Sequence, residues 1–368
     1  MNIDEKLKNM KPSDTPLLVV GYMLLGMMLL LGMPAKAQDN EVFIDQTGNN
    51  LELSILQSGY ANKIKNLTLS ADASLWGAST TLKLQQIGNN NDIGMWTSGS
   101  NQNIRGYISG NYNDLFFDNH GDNNQLQADI VGDYNYAWLE AGASNNHTGN
   151  QIQLWQDGDN HYAYLEALNG SNNQIDAYMG NGQEDGYIKV IIGAGGSSNN
   201  VKVWQGKHED GTLDNDELGS HEAYWFVYGD SNTLASYQTD TNRSSGGSDH
   251  HLANYITGDS NTVTHVQRGK LGHDGFIEID GNSNTVDLTQ RGGLNSKWAD
   301  IVLDGNGHTV DVLQRGSQIG SAAIDLTNNG GSYNFTLSQD ISTTSASYSI
   351  TGICVSANGC TISINQDN

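Results

Sequence analysis

Proline, cysteine and basic residues are scarce in this chain of 368 residues, which has 3 prolines, 2 cysteines and 17 lysines and arginines against 41 acidic residues. All the prolines lie in the first 37 residues. Because proline supplies no backbone N–H, its absence elsewhere is typical of strands whose donors are all used. The net charge of −24 argues against a nucleic-acid partner, since phosphate binding needs clustered lysine and arginine. No segment after residue 37 is apolar enough to cross a membrane.

The first 37 residues have the pattern of an export signal. Lys6, Lys8 and Lys11 precede an apolar run over residues 17–32, and the small-residue pattern of residues 35–37 follows it. We therefore predict a signal peptide over residues 1–37 and a secreted chain over residues 38–368. The alternative is a permanent membrane anchor, but the apolar run is near the lower limit for spanning a bilayer, which takes about 20 residues.

Glycines recur at a spacing of 11 residues in the N-terminal half, and an amide side chain follows each of them by three residues. The glycines are Gly88, Gly99, Gly110, Gly121 and Gly132, and the amides are Asn91, Gln102, Asn113, Asn124 and Asn135. Between these turns the apolar residues alternate with polar ones, as in Leu126, Ala128 and Ile130. Alternation with period two predicts strands with one buried face.

A glutamine ends the inward face of many of these strands, as in the segment Asn284, Val286, Leu288, Gln290. The glutamine position or its substitute recurs at residues 57, 86, 108, 130, 156, 179, 205, 238, 267, 290, 314, 339 and 366. Such a short repeat buries its apolar face only against its neighbours. The sequence therefore predicts an all-β fold, a β-solenoid of about 13 stacked strand–arc–strand repeats forming two parallel sheets, with loop insertions near residues 70–79, 206–222 and 239–250.

Equivalent side chains lie above one another in a parallel stack, so a buried amide can donate its NH2 group to the carbonyl of the copy one repeat away. The predicted amide ladder consists of Gln57, Gln86, Gln156, Gln205, Gln238, Gln267, Gln290, Gln314, Gln339 and Gln366 with Asn62, Asn91, Asn124, Asn199, Asn232, Asn261 and Asn284. The predicted turn glycines are Gly48, Gly59, Gly88, Gly99, Gly110, Gly121, Gly132, Gly258, Gly281 and Gly305. The alternative is that asparagine beside glycine simply marks exposed turns.

The pattern Gln-x-Gly-x-x-Asn, followed by an apolar strand and another glutamine, resembles the curlin repeat of secreted bacterial curli fibres. The segments 57–62 and 86–91 carry it most literally, whereas Ile108, Ile130 and Met179 stand where the pattern has glutamine. The resemblance implies a β-solenoid subunit that a Gram-negative cell exports through a dedicated outer-membrane pore. It also implies end-to-end polymerisation, with itself or with other curlin-like subunits, into amyloid-like fibres.

Arginines recur at one corner of successive repeats, at Arg268, Arg291 and Arg315. Stacked like charges repel one another, so we expect nearby carboxylates, with Asp287 and Asp311 as candidates, to offset them. One interpretation is that the arginines keep the protein soluble and neighbouring fibres apart. The other is that the row binds an acidic polysaccharide.

Two further features carry open alternatives. The segment 206–222 is rich in acidic residues, and clustered carboxylates would suit a hard cation such as calcium. We interpret it instead as a solvated loop without a metal ion, because charged runs usually face water. Cys354 and Cys360 lie on either side of the Gly359 turn in the last repeat, and an oxidising compartment favours a disulfide between them over two free thiols.

No triad, phosphate loop, zinc spacing or distinctive carboxylate pair stands out, so we expect neither an enzyme nor a bound cofactor. The predicted function is a secreted, extracellular structural protein that assembles with itself into fibres of the biofilm matrix. The first alternative is a surface adhesin or capping accessory protein that binds glycans or partners through its loops. The second is a β-helical polysaccharide lyase or hydrolase.

Overall fold

The computed structural model describes residues 41–42, 44–64, 73–141, 148–167, 170–180, 186–193, 198–206, 221–239, 250–269, 272–292, 297–305, 307–316, 320–326, 333–340, 347–352 and 360–367. The chain divides into a unit over Met1–Asp39 and a unit over Asn40–Asn368. The predicted signal peptide, residues 1–37, lies outside the described residues. Within the described part, no helix is long and apolar enough to cross a membrane.

The described residues form strands and no helix. One sheet contains Asp45–Thr47 (β1), Ala73–Trp76 (β3), Met95–Ser98 (β5), Phe116–His120 (β7), Ala137–Ala141 (β9), Tyr162–Ala167 (β11), Gly186–Ile192 (β13), His221–Tyr228 (β15), His250–Thr257 (β17), His273–Asp280 (β19), Lys297–Asp304 (β21), Gly320–Leu326 (β23) and Ser347–Gly352 (β25). The other contains Glu52–Ser58 (β2), Thr81–Ile87 (β4), Asn103–Ser109 (β6), Gln125–Ile130 (β8), Gln151–Gln156 (β10), Gln174–Met179 (β12), Asn200–Gln205 (β14), Thr233–Thr239 (β16), Thr262–Arg268 (β18), Thr285–Arg291 (β20), Thr309–Arg315 (β22), Asn334–Asp340 (β24) and Thr361–Asp367 (β26).

Each strand pairs in parallel with the strand two positions on in the sequence, which gives two sheets of 13 strands each. We call one odd-numbered strand and the even-numbered strand after it a rung, so the described residues form 13 rungs. The prediction of an all-β solenoid with two parallel sheets is confirmed. The register explains the missing proline, because backbone donors are used along the stack; Gly281 N–H, for example, donates to Asp304 O at 3.0 Å.

The inward faces of both sheets form one apolar core. In β22 the inward side chains of Val310 and Val312 are no more than 2% exposed, whereas Asp311 between them points outward and is exposed. The same alternation recurs in the other strands because successive side chains of a strand point to opposite faces. Each rung therefore buries its apolar face against the rungs on either side of it.

Two corners join the strands of the stack. We call the turn from an odd-numbered strand to the next even-numbered strand the first corner. The second corner leads from an even-numbered strand into the odd-numbered strand of the next rung. The glycine spacing of 11 residues covers half a rung, so successive members of the series fall alternately at the two corners.

The predicted loop at 70–79 is wrong in part, because it contains strand β3. Leu75 is fully buried, and Ser74 N–H donates to Ile44 O at 3.0 Å, so this short segment completes a rung. The insertions at 206–222 and 239–250 are also shorter than predicted. His221 and His250 begin strands β15 and β17 because their side chains are buried in the core. Residues 207–220 and 240–249 lie outside the described residues.

Candidate assembly interface

The glutamines at the ends of the even-numbered strands form a side-chain ladder. In every bond between them, the amide nitrogen of the later rung donates to the amide oxygen of the earlier one. The bonds are Gln86 to Gln57 at 2.9 Å, Gln238 to Gln205 at 3.2 Å, Gln267 to Gln238 at 3.1 Å, Gln290 to Gln267 at 3.0 Å, Gln314 to Gln290 at 2.9 Å and Gln339 to Gln314 at 2.8 Å. The ladder therefore has a direction along the stack.

The same amide groups tie the two sheets together. Gln290 Nε2 donates to His273 O at 3.3 Å and to Trp298 O at 2.8 Å, both on the facing sheet. The Gln290 side chain is fully buried, so each of these bonds replaces one to water that burial removes. Losing the amide would leave several buried acceptors unmatched, at a cost of about 1–3 kcal/mol for each one left without a partner.

The glutamine ladder is interrupted in the N-terminal half. Ile108, Ile130 and Met179 occupy its position in register with the neighbouring glutamines. Gln156 lies between two of these apolar residues, and among the described residues its amide nitrogen donates to Tyr162 O alone, at 3.4 Å. Gln366 pairs in register with Gln339 in the last rung, and its side chain lies outside the described ones.

Most asparagines of the first corner make a different ladder from the one predicted, although Asn199 Nδ2 also donates to Asn232 Oδ1 at 3.1 Å, as predicted. Their side-chain oxygens accept from the backbone N–H of the equivalent residue one rung earlier: Gln102 N to Asn124 at 2.8 Å, Asn124 N to Asn150 at 2.9 Å, Asn173 N to Asn199 at 2.9 Å, Asn199 N to Asn232 at 3.0 Å, Asn232 N to Asn261 at 2.9 Å and Asn261 N to Asn284 at 2.8 Å. Several amide nitrogens donate instead to a corner glycine, as Asn284 does to Gly258 O at 3.1 Å. The short asparagine side chain reaches the corner backbone, whose donors would otherwise be unpaired.

Asn62 and Asn91 belong to the second corner, where amide does bond to amide. Asn91 Nδ2 lies 2.9 Å from Asn62 Oδ1, Asn113 Nδ2 donates to Asn91 Oδ1 at 2.8 Å, and Asn135 Nδ2 donates to Asn113 Oδ1 at 2.7 Å. These side chains are at most 3% exposed. The interpretation of asparagine as an exposed turn residue therefore does not describe this column.

The second-corner column changes chemistry along the stack. In its C-terminal part the positions are filled by His221, His250, His273 and Lys297, in register and at most 6% exposed. The His221 and His250 rings stack 5.1 Å apart at 6°, and the His250 and His273 rings stack 5.2 Å apart at 8°. Sequence reasoning missed this column, although an alignment of the odd-numbered strands places the four residues at one position.

Burial holds the core imidazoles neutral. It lowers the pKa of His161 to about 4 and that of His265 to about 3. Burial, followed by the charge of His250, also lowers the pKa of His273 to about 3. In the same column, burial lowers the pKa of Lys297. At His273 and Lys297, no carboxylate among the described residues offsets this loss of hydration.

The predicted turn glycines occupy both corners. Gly48, Gly99, Gly121, Gly258, Gly281 and Gly305 lie at the first corner, and Gly59, Gly88, Gly110 and Gly132 lie at the second. At the first corner the backbones of successive rungs touch, because a Cβ on Gly281 would lie 2.2 Å from Gly258 O. Around Gly59, Gly88 and Gly110 at the second corner there is more space, and Gly88 is required mainly by its φ of +70°.

The two ends of the stack leave strand edges without a paired strand among the described residues: β1 and β2 at one end, β25 and β26 at the other. At the N-terminal end the inward Leu53 and Ile55 are only partly buried. Gln57 is 5% exposed, yet its Nε2 has no hydrogen-bond partner among the described residues. At the C-terminal end Ile362, in register with the buried Phe335, is 44% exposed. Each end therefore presents an incomplete rung.

The two cysteines fall near the C-terminal end. Cys360 is disulfide-bonded and packs against the core just before β26. Cys354 lies outside the described residues.

No group of three or more histidine, cysteine or acidic side chains that could hold a metal ion occurs within the described ranges. Most of the acidic segment 206–222 lies outside those ranges.

A family model for the curlin associated repeat matches residues 281–316. This segment begins at a first-corner glycine, spans β20, β21 and β22, and ends at the glycine after Arg315. It contains two consecutive glutamines of the ladder, Gln290 and Gln314. No curated protein and no solved structure matches the chain significantly. Residues 281–316 are thus a curlin associated repeat, which confirms the resemblance predicted from the sequence.

Proposed function

We propose that this protein is a secreted, non-enzymatic structural subunit that assembles with itself, end to end, into curli-like fibres of the extracellular matrix. The curlin associated repeat and the β-solenoid fold support a structural role of this kind. Export of the mature chain through an outer-membrane pore, and mixed assembly with other curlin-like subunits, follow from the same resemblance and belong to the proposal.

The observation that carries the proposal is the match between the two incomplete ends. Both terminal even-numbered strands, Glu52–Ser58 and Thr361–Asp367, have 7 residues. Laid in the register used throughout the sheet, Ile362 falls on Leu53, Ile364 on Ile55 and Gln366 on Gln57. Apolar residues thus meet apolar residues and amide meets amide, and no outward position pairs like charges.

The direction of the glutamine ladder fits this junction. Wherever two glutamines of the ladder bond, the later one donates its amide nitrogen to the earlier one, and Gln57 Nε2, on the first rung, has no partner among the described residues. A preceding rung supplied by a second copy would present its own glutamine there. Unpaired strand edges template the addition of another strand, and each added copy would present the same edge again.

The test uses Ile362→Asp in the purified protein, with Ser363→Asp as the matched control. Both changes add one negative charge to the same exposed strand, but only residue 362 lies on the inward face that the junction would bury. We expect Ile362→Asp to slow the elongation of preformed seeds at least tenfold, because a buried carboxylate without a partner costs several kcal/mol. Loss of soluble protein after sedimentation gives the rate without depending on a dye.

Ser363→Asp should elongate at close to the wild-type rate. Equal rates for the two variants, or a wild-type protein that remains monomeric with seeds present, would overturn end-to-end assembly.

A capping or adhesive role is the second candidate, and the disulfide at Cys360 is the observation that favours it. A covalent restraint beside β26 limits how the last rung adapts to an incoming copy. If this protein is a cap, it will arrest seeds at one end when oxidised and extend them when reduced. Equal growth in both redox states would exclude this role.

A further inference from the structure

Three arginines form a row at the second corner of the C-terminal rungs. Arg268, Arg291 and Arg315 occupy equivalent positions at the ends of β18, β20 and β22. Arg268 and Arg315 are exposed, and Arg291 is half-buried. Strands in a sheet lie about 4.8 Å apart, so the backbones of the three arginines follow one another at about that interval along the stack.

The row is poorly compensated by nearby carboxylates. Among the ion pairs of the described residues, the row contributes one, a 3.7 Å contact between Arg315 Nε and Asp340. Arg105, elsewhere on the same sheet, instead holds Asp129 at 2.6 Å. The expectation that Asp287 and Asp311 offset the row is wrong. Asp287 lies four residues before Arg291, and Asp311 four residues before Arg315, on an extended strand. This places the two Cα atoms of each pair about 13 Å apart.

The connecting segments after the arginines are also free of acidic residues. Residues 269–272, 292–296 and 316–319 contain no aspartate or glutamate and one lysine, Lys270. The chain as a whole has 41 acidic residues. This corner is therefore a local concentration of positive charge on a strongly negative protein.

Buried histidines support the row from inside. His250 Nε2 lies 3.0 Å from Arg268 O, and His273 Nε2 lies 2.7 Å from Arg291 O. The next glycines pack closely, since a Cβ on Gly292 would lie 2.0 Å from Gly269 O. The backbone that carries the arginines is thus held in place, which lowers the entropy lost when a ligand binds.

We propose that the arginine row binds a linear acidic polysaccharide along the solenoid axis, through carboxylate or sulfate groups held by the guanidinium groups. Planar guanidinium groups match such anions in bidentate geometry. A slender chain contacts this corner alone and avoids most of the acidic surface. This inference does not depend on fibre formation, because one copy carries the whole row.

The chemistry beside the row favours a polysaccharide over a single-stranded nucleic acid. Nucleic-acid strands bind where basic residues alternate with aromatic rings on which the bases stack. The outward neighbours of the three arginines, two residues earlier on each strand, are Val266, Thr289 and Leu313. None of them offers a ring.

The test measures binding of the purified full chain to fluorescently labelled oligogalacturonate at low salt. We expect the variant R268Q/R291Q/R315Q to bind at least tenfold more weakly than the wild type. The matched control is K83Q/R105Q/K202Q, which removes the same charge from outward positions of the same sheet and should bind like the wild type. Because Arg291 is half-buried, the triple variant could lose binding through poor folding. The variant R268Q/R315Q, which changes only the two exposed arginines, is therefore measured as well, and it should also bind more weakly than the wild type.

Three results would overturn the proposal. The first is an equal loss in both triple variants, which would show that only net charge matters. The second is tighter binding of a single-stranded DNA of equal charge than of the oligogalacturonate, with the same dependence on the arginines. The third is binding that R268Q/R315Q leaves unchanged, or no binding of the oligogalacturonate by the wild type at low salt.

Discussion

One buried column at the second corner has two chemistries, and the two halves of the molecule differ by it. From Asn62 to Asn135 the column consists of amides that bond to one another, and the strand register then places His161 and Gly186 in it. In the C-terminal half it consists of stacked imidazoles and Lys297. The same backbone stack accommodates amides and imidazoles. An amide bonds to the amide one rung away, whereas an imidazole stacks on the next ring and contacts a corner carbonyl. The difference is that amides do not titrate, whereas imidazoles do.

The glutamine ladder divides the molecule in the same way. It is continuous from Gln205 to Gln339 and is interrupted three times before Gln205. The C-terminal rungs therefore rely on buried polar groups that must all be paired. The N-terminal rungs replace some of those groups with apolar packing.

The largest predicted effect comes from acid. Folding lowers the pKa of a buried histidine below its unfolded value of about 6.5. Above that value the histidine is neutral in both states and costs nothing, and as the pH drops toward the folded pKa the protein loses stability. His265 and His273 have a pKa of about 3. Together they should cost the C-terminal rungs about 5 kcal/mol between pH 7 and pH 4.5.

Carboxylates of the N-terminal half respond in the opposite sense. Burial, then the charges of Asp118 and Glu166, raises the pKa of Glu140 to about 7. In the folded protein Glu140 takes up a proton more readily than in the unfolded chain. Its contribution to the free energy of unfolding is therefore present at low pH and is lost as the pH rises through about 7. His161 in this half opposes the trend, as do Asp287 and Asp300 in the other half, whose pKa values burial raises.

Amide hydrogen exchange, corrected for intrinsic exchange rates, measures how differently the two halves respond to acid. On going from pH 7 to pH 4.5, we expect β17–β21 to lose protection before β7–β11. His273→Asn, which introduces the amide of the N-terminal column, should reduce that loss. His251→Gln should instead increase the loss slightly, because the hydrogen bond to Asp274 raises the pKa of His251 and this stabilising contribution is present at low pH. Simultaneous loss in both halves would contradict the comparison.

A smaller effect is expected from one glutamine in each half. Gln290→Leu removes three donated bonds and leaves Gln267 Oε1 without its donor, so unfolding should become easier by about 2–4 kcal/mol. Gln156→Leu removes one bond of 3.4 Å between rungs that already hold Ile130 and Met179. Its cost should stay near 1 kcal/mol. Urea denaturation of both variants measures the difference, and equal midpoints would contradict the importance of a continuous ladder.

The sequence predicted the rungs well because every rung meets the same constraint. Strands stacked in register place the glutamines at one position, so their spacing counts the rungs directly. Strand β3 was assigned to a loop because Ala73–Trp76 is short and follows an insertion that breaks the spacing. Fold class and register thus followed from periodicity alone.

The chemistry of the corners was harder to predict. An asparagine can bond to the next amide or to the neighbouring backbone, and the choice depends on how closely the corner backbones approach. The histidine column was missed because single histidines such as His250 and His273 have no periodic signal until the odd-numbered strands are aligned. The ends were predictable only as open edges, and their shared register emerged from the two terminal strands.

Assembly through matched terminal strands is tested most directly by solid-state NMR on fibres grown from two differently labelled batches of protein. A contact between Ile362 of one copy and Leu53 of another, at about the 4.8 Å spacing of paired strands, is the result we predict. Contacts between copies restricted to outward side chains such as Trp155, with none between the terminal strands, would contradict it.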